Sequence, residues 1–498
     1  MYINGFEITY IYQIMKTDLK LFFILLVAAG ALLAGCSKDS TTPENGNNGT
    51  TQEVSRDNTL RNFSFQKNSN PSLQSNCTAT ENGDIIYITV PDGVSLGSLV
   101  PSFNVHEKAT VKIGSNNIQS GITPADFSKT TVITVTAESG SNRMYTILVK
   151  NGDSKIDSKI YNFMIKHDIP GVSVAISKDE ETVYTAAYGF ADKGTQERVT
   201  SDHMFRLASM SKQHTAIGIM KLVEQGKLKL TDTVFGKEGV LYKAYGDNMP
   251  SNWKSITIEQ LLSHTSGIYT EAFFGAGSIF SGKDMNERIA TLLQQGVIKW
   301  TPGTTYDYNN SNFGILGKVI EEVSGKKYMN FLKEEIYTPN GITGIDAGIN
   351  DGPVKGEVRH YSQNSVNPYD NNVEAGVAAG GVIASAPALM KLMALLDYGT
   401  KVPDIFKKET LDRMYTPINA VDADGDKADQ YCLGWRTNYS NYPDWPAFHG
   451  GTLAGVCPIW ARSYDNVNGV ILCNSRSYNQ SIDSDIWHML EDIQDMFR

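Results

Sequence analysis

The hydrophobic pattern changes along the chain. An apolar run from Leu21 to Gly35 follows Lys16 and Lys20 and gives way to the polar stretch "SKDSTTPENGNNGTTQEVSRD" at 37–57. Fifteen apolar residues are fewer than the about 20 a membrane-spanning helix needs, but they suit the apolar region of a secretory signal. The polar stretch buries nothing and reads as a flexible tether. Short alternating runs come next: "DIIYITV" (84–90), "TTVITVTA" (130–137) and "MYTILVK" (144–150), rich in β-branched and aromatic residues. Turn signals at Pro91-Asp92-Gly93 and Ser139-Gly140 separate them, so 58–151 is expected to form a small β-sandwich.

From about 152 the period lengthens. A helix-like start at 155–167 leads through Ile169-Pro170-Gly171 into "GVSVAIS" and "ETVYTAAYG", a hairpin pattern, and helical segments dominate from about 209 to 400. "YCLGWRT", "GVCPIWARS" and "NGVILCN" then read as three consecutive strands, and "SDIWHMLEDIQDMF" (484–497) has apolar residues at helical spacing. Sheet pieces at both ends of a domain with helices between them predict an α+β fold whose sheet is closed by both termini. The expected organisation is a leader at 1–36, a linker at 37–57, the sandwich at 58–151 and a larger domain at 152–498.

Composition removes several function classes. The formal charge is −10, and without a Lys/Arg cluster there is no basic face for nucleic acid. No metal-type spacing stands out, since His106-Glu107 lacks a second histidine, and no cofactor is expected. Cys77, Cys432, Cys457 and Cys473 are expected to be small buried thiols rather than a disulfide framework.

The candidate chemistry starts at "RLASMSKQHTAIG" (206–218). Ser-x-x-Lys occurs four times, at Ser64-Lys67, Ser209-Lys212, Ser251-Lys254 and Ser324-Lys327. Ser64 lies in the sandwich, Ser251 follows a proline in a loop, and Gly325 marks Ser324 as a helix end. Only Ser209 is followed by a long apolar helical pattern through Ile217, Ile219, Met220, Leu222 and Val223. At the first turn of such a helix, unpaired amides favour negative charge, and Lys212, three residues on, can hand its amine to Ser209. Ser211 points elsewhere. A free lysine near 10.4 is protonated at neutral pH, so Lys212 must be desolvated or placed beside another cation to act as a base. Gly93-Val94-Ser95-Leu96-Gly97 has the Gly-x-Ser-x-Gly form, but a proline and no helix follow, so it is expected to be a turn.

With Ser209 and Lys212 identified, the remaining motifs fall into an order. The half from about 155 to 498 resembles the serine β-lactamase and penicillin-binding-protein superfamily, on its class C-like branch. "FRLASMSK" is similar to the family's first motif and "LLSHTSGI" (261–268) to a hallmark of the branch. "PGTTYDYNNSNFGILG" (302–317) is similar to the second motif, "AAGGVIAS" (378–385) to a further signature, and "FHGGTLAG" (448–455) to the third. The resemblance implies Ser209 as acylated nucleophile, Lys212 as its base and Tyr308 as proton relay. It further implies Asn310 as substrate ligand and orienter of Lys212, and an oxyanion hole from the backbone amides of Ser209 and Thr452, with His449 and Gly451 lining the substrate site. His264 is expected to be structural, in a helix end capped by Gly267. His214 is expected to pack, and Gly380-Gly381 to permit close backbone approach.

The chain departs from the family where His449-Gly450-Gly451 replaces a Lys-Thr-Gly. A histidine near pKa 6.5 is mostly neutral at pH 7, which argues for esters or for amides without a terminal carboxylate. Leu33-Ala34-Gly35-Cys36 resembles a bacterial lipobox, implying cleavage before Cys36, lipidation of its thiol, and a membrane-anchored exported protein, periplasmic or at the outer surface. Met15 heads the more typical start, so 1–14 read as an upstream extension. The sandwich resembles the Ig-like modules behind the lipid anchor of Bacteroidetes-type surface proteins. The expected function is hydrolysis of an ester or amide through a covalent acyl-enzyme on Ser209. Two alternatives are a D-Ala-D-Ala carboxypeptidase or weak class C-like β-lactamase, and an acyl-binding sensor that does not turn over.

Overall fold

The computed structural model describes residues 54–270, 273–274, 278–425, 431–437, 445–478 and 481–498. The leader, the lipobox cysteine Cys36 and most of the tether lie outside the described residues. Ser55–Arg498 forms one compact unit.

Two sheets make the N-terminal module. β1 (Arg61–Phe65) pairs with β2 (Cys77–Thr78) and β5 (Pro101–Asn104). The larger sheet runs β3 (Thr80–Asn82), β4 (Ile85–Val90), β9 (Asn142–Asn151), β8 (Thr131–Thr136), β6 (Thr110–Ile113), β7 (Asn116–Asn117). β8 shows why the sequence folds this way: Thr131, Ile133 and Val135 are buried, while the residues between them are half-exposed. Phe63, Phe65 and Phe127 meet edge-on in the core. As expected, Gly93–Gly97 falls in turns and loop.

The module is docked on the larger domain. Tyr87 of β4 stacks on Tyr161 of the helix Ser154–Lys166 at 4.7 Å, and Tyr87 and Leu148 belong to a core cluster shared with Ile160, Val174 and Ile471. Asp157, 1% exposed, accepts from Lys150 Nζ at 2.9 Å and Thr89 Oγ1 at 2.8 Å, and from the Tyr188 hydroxyl.

The larger domain is built on a six-stranded sheet. Its order is β12 (Glu197–Arg198), β11 (Glu181–Asp192), β10 (Gly171–Lys178), β19 (Val467–Cys473), β18 (Ile459–Arg462), β17 (Ala447–Gly450). The antiparallel β10–β19 pairing, with Val174 opposite Ile471, closes the sheet with both ends of the domain, as expected. Both faces of β10 and β19 are covered, so these two strands are buried almost throughout and mostly apolar. Val174, Ile176 and Ile471 face the layer of the helices Ser154–Lys166 and Ile482–Asp495, whereas Ala175, Val470 and Leu472 face the layer containing the helix Ser211–Glu224. The three expected C-terminal strands need one correction. Of "YCLGWRT", residues 431–437 form no strand but a turn with single bridges, Tyr431 to Arg436 and Arg436 to Phe448. The third strand is "AFHG", which carries His449.

A small sheet sets Ser209 in place. β13 (Phe205–Arg206) pairs with β16 (Val382–Ala384), which also pairs with β14 (Ile345–Ala347). β15 (Tyr361–Ser362) runs parallel to β20 (Ser475–Arg476). The four cysteines in the described region are free and buried.

Candidate active site

Strand β13 enters the site directly. Leu207 N donates to Val382 O, then Ala208 takes φ +47°, and a 3-10 turn, Ala208–Met210, precedes the α-helix Ser211–Glu224. Ser209 thus sits in a tight turn just before the helix rather than in its first α-turn. A buried non-glycine residue at positive φ costs on the order of 1–3 kcal/mol, and such strain gathers at functional sites. Ser211 Oγ accepts from Val382 N at 3.0 Å, so the second serine is structural.

Lys212 is fully buried, and its Nζ lies 3.2 Å from Ser209 Oγ, 2.8 Å from Asn310 Oδ1 and 2.8 Å from the Ala379 carbonyl. Nζ also lies over the Tyr308 and Phe313 rings. Among the described residues no carboxylate pairs with it. Burial pushes its pKa well below the usual lysine value, and the Arg436 guanidinium adds to the shift. The Ala379 carbonyl is presented by a π-helical turn, Val377–Gly381, in which a Cβ on Gly381 would lie 2.2 Å from Val373 O. The expected close backbone approach at Gly380-Gly381 therefore serves the lysine.

Tyr308 and Asn310 flank the start of the helix Asn310–Ser324, where Asn309 is the N-cap and accepts from Ser311 N at 2.8 Å. Burial pushes Tyr308 up to about 12, against a downward pull from the Ser209 hydroxyl and Arg436. No protein group among the described residues meets Tyr308 Oη with full hydrogen-bond geometry, Ser209 included. His264 corrects one expectation. Gly267 has φ +76°, but the residue that turns left-handed right after the helix Ile258–Leu262 is His264 itself, at φ +59°. Its Nδ1 accepts from Asn309 N at 3.1 Å, and its ring packs 4.3 Å from that of Tyr308. His214, by contrast, bonds Tyr337 and stacks on Trp460.

His449 is only 2% exposed, and both ring nitrogens are engaged: Nδ1 with the Gly450 carbonyl at 2.6 Å and Nε2 with Tyr431 Oη at 3.2 Å. Burial, then Arg436 and Lys212, push its pKa well below 6.5. The histidine is neutral with more certainty than its ordinary pKa implies, and no titration near 6.5 is expected from it. Gly451 is a packing requirement: a Cβ there would lie 2.4 Å from Leu207 O and 3.0 Å from Ala208 Cβ. Thr452 is exposed at the cleft rim.

Ser209, Tyr308, Asn310, His449, Gly451 and Thr452 line one cleft of about 460 Å³, with Lys212 buried beneath Ser209. Arg436 and Trp487 line it too, and neither was anticipated from sequence. Arg436 arrives through backbone pairing with Phe448, one residue before His449, and its guanidinium lies 5.8 Å from the Tyr308 ring centre. The available signal was a cation inside an otherwise apolar "YCLGW" context. A larger cavity of about 540 Å³ on another face of the Asn310 helix, at Gly314, Gly317 and Glu321, holds none of these groups. Among the described residues no His/Cys/Asp/Glu group could hold a metal ion.

Comparison with known proteins identifies the domains that the chain contains. The β-lactamase family model matches residues 156–493, and a model described as SGBP, N-terminal, matches 63–149. Protein flp of Staphylococcus aureus (strain MRSA252) is 24% identical over 331 residues, 66% of this chain and 64% of its own length, so the chain spans less than two thirds of that relative. The β-lactamase/D-alanine carboxypeptidase of Yersinia pestis shares the fold at TM-score 0.57 and 20% identity, over 69% of this chain and 98% of its own. The D-amino acid amidase of Ochrobactrum anthropi SV3 shares it at TM-score 0.54 and 21% identity, over 69% of this chain and all of its own. From 156 to 493, well over half of its length, this chain belongs to the β-lactamase family.

Proposed function

We propose that the protein is a serine hydrolase that forms an acyl-enzyme on Ser209, with neutral Lys212 as the base. The observation that carries this is the partner set of Lys212 Nζ. A neutral amine has two N–H donors and one lone pair; Asn310 Oδ1 and the Ala379 carbonyl take the two donors, which leaves the lone pair for the Ser209 hydroxyl. Protonated, the same nitrogen would be a buried charge without a carboxylate, which burial and Arg436 both oppose.

In the reaction, Ser209 Oγ attacks the substrate carbonyl carbon while its proton passes to Lys212 Nζ. The oxyanion forms between the backbone amides of Ser209 and Thr452, each such donor lowering the barrier by about 3–4 kcal/mol. Tyr308, held as a phenol by its raised pKa, passes a proton to the leaving group and draws on Lys212 to replace it. Water then attacks the acyl carbonyl and gives its proton to Lys212; the acyl–Oγ bond breaks, Ser209 Oγ takes that proton back, and the acid leaves with Lys212 neutral again. Asn310 orients the lysine and offers its amide nitrogen to the substrate.

His449 provides no charge, but Arg436 places a permanent cation in the cleft. The reading that an anionic substrate is disfavoured is therefore revised. Esters and amides remain the substrate class, and a cleft lined by both Arg436 and Asp483 sets no rule against a substrate carboxylate, as in a D,D-peptide or a β-lactam. Two fold neighbours, a D-alanine carboxypeptidase and a D-amino acid amidase by name, agree with that range. Export and lipid anchoring through Cys36 remain part of the proposal and are tested by fatty-acid labelling of wild type against Cys36→Ala.

The hydrolase reading is tested by intact mass after a fluorophosphonate probe, followed by steady-state assays on esters, D-amino-acid amides and a β-lactam. A single adduct absent in Ser209→Ala, together with turnover, supports it. An adduct without turnover of any substrate favours the acyl-binding sensor.

A further inference from the structure

The segment 345–378, in which the sequence offers no recognisable chemistry, contributes His360. This residue is 3% exposed and joins two backbone segments directly. Its Nε2 accepts the N–H of Arg206 at 3.3 Å, and its Nδ1 lies 2.9 Å from the Gly455 carbonyl. With Nε2 accepting, Nδ1 carries the proton and donates, so one neutral ring satisfies both contacts. Burial pushes its pKa down to about 3, which keeps that single tautomer across the working range.

The two backbones are those that flank the reacting centre. Arg206 stands three residues before Ser209, and Gly455 three residues after Thr452. The ring is itself fixed. The Arg206 guanidinium donates to Glu357 Oε1, the Pro368 carbonyl and the Ile349 carbonyl, which pins the segment on both sides of His360. The Tyr369 hydroxyl accepts from His360 N at 3.0 Å. Gly455, at φ +72°, is covered so closely that a Cβ would meet Pro368 Cγ at 2.9 Å and Tyr361 O at 3.1 Å.

We propose that His360 is a positioning residue for the oxyanion hole, a strut that fixes the separation between the Ser209 amide and the Thr452 amide. The inference rests on the acyl-enzyme reading above. An oxyanion hole works by donors fixed where charge develops, so its efficiency depends on the distance between its two halves. Histidine suits the strut because one rigid ring offers a donor on one edge and an acceptor on the other. His360→Gln keeps an acceptor near the Nε2 position, His360→Asn keeps a donor near Nδ1, and His360→Leu keeps neither.

The test compares an oxoester with its thionoester in wild type and the three variants. A well-set oxyanion hole discriminates against the larger, weakly accepting sulfur, and a loosened one does not. His360→Leu is expected to lose about 10- to 100-fold in kcat/KM on the oxoester while the thionoester changes far less, with Gln and Asn in between. Misfolding lowers both rates by the same factor and leaves their ratio intact. A ratio unchanged in all three variants of a Ser209-dependent enzyme overturns the strut alone. Absence of Ser209-dependent ester turnover in wild type overturns the acyl-enzyme reading and the strut with it.

Discussion

The Ala379 carbonyl accepts a hydrogen bond of 2.8 Å from Lys212 Nζ, across 167 positions of sequence. A carboxylate there would hold the lysine charged, whereas a neutral carbonyl offers a place for an N–H without compensating a cation. The fold builds this contact from a glycine-rich π-turn against the helix Ser211–Glu224. The basicity of Lys212 follows from what surrounds it.

Arg436 sets part of that basicity. It is the charge that, after burial, lowers the Lys212 pKa. Removing a neighbouring cation raises a lysine pKa, so Arg436→Gln should move the acidic limb of the pH–kcat/KM profile to higher pH, measured on an uncharged ester to separate the effect from substrate binding. A limb that stays in place or moves down contradicts this assignment.

The same group carries a stability signature. Folded Lys212 has a lower pKa than in the unfolded chain, so between its folded pKa and about 10.4 the unfolded state binds more protons and stability rises with pH. Lys212→Met should flatten that rise in urea titrations across the alkaline range. An identical slope in both proteins means that Lys212 is not depressed.

Gly451 ties the segment 448–455 to the Ser209 turn. Its missing Cβ is what lets Leu207 O and Ala208 approach. Gly451→Ala should displace Thr452 relative to Ser209 and cost on the order of 100-fold in kcat/KM. Rates within a few-fold of wild type show that the contact has slack.

How much of this was legible depends on distance along the chain. Ser209 and Lys212 stood out because a long apolar helical pattern follows them, and Tyr308 and Asn310 through the resemblance of 302–317 to a family motif; the structure brings the four together at one cleft. β8 was readable because its burial alternates with period two, and β10 and β19 because they are short, mostly apolar runs buried on both faces. "YCLGWRT" misled because its aromatic content mimics a strand. Gly434, at φ +81°, turns it, and a Cβ there would press to 2.6 Å on Ala216 Cβ. "AFHG" is only four residues long and follows Pro446, so its strand gave little periodic signal. Arg436 and His360 act through contacts far apart in sequence, which no local pattern encodes.

The docking of the sandwich is also testable. Asp157→Ala strands the mostly buried Lys150 and removes the acceptor of Thr89 and Tyr188. Breaking such a pair should cost about 3–5 kcal/mol by urea unfolding, and adding Lys150→Met should recover part of it by removing the uncompensated charge. A loss below about 1 kcal/mol would mark the junction as loosely held.

The central claim is that Lys212 is neutral when Ser209 reacts. The measurement that tests it most directly is the rate of Ser209 phosphonylation by a fluorophosphonate as a function of pH, in wild type and in Lys212→Ala. A wild-type midpoint well below 10.5 is expected, with the fast reaction absent in the variant. A midpoint near the ordinary lysine value, or equal rates in the two proteins, contradicts it.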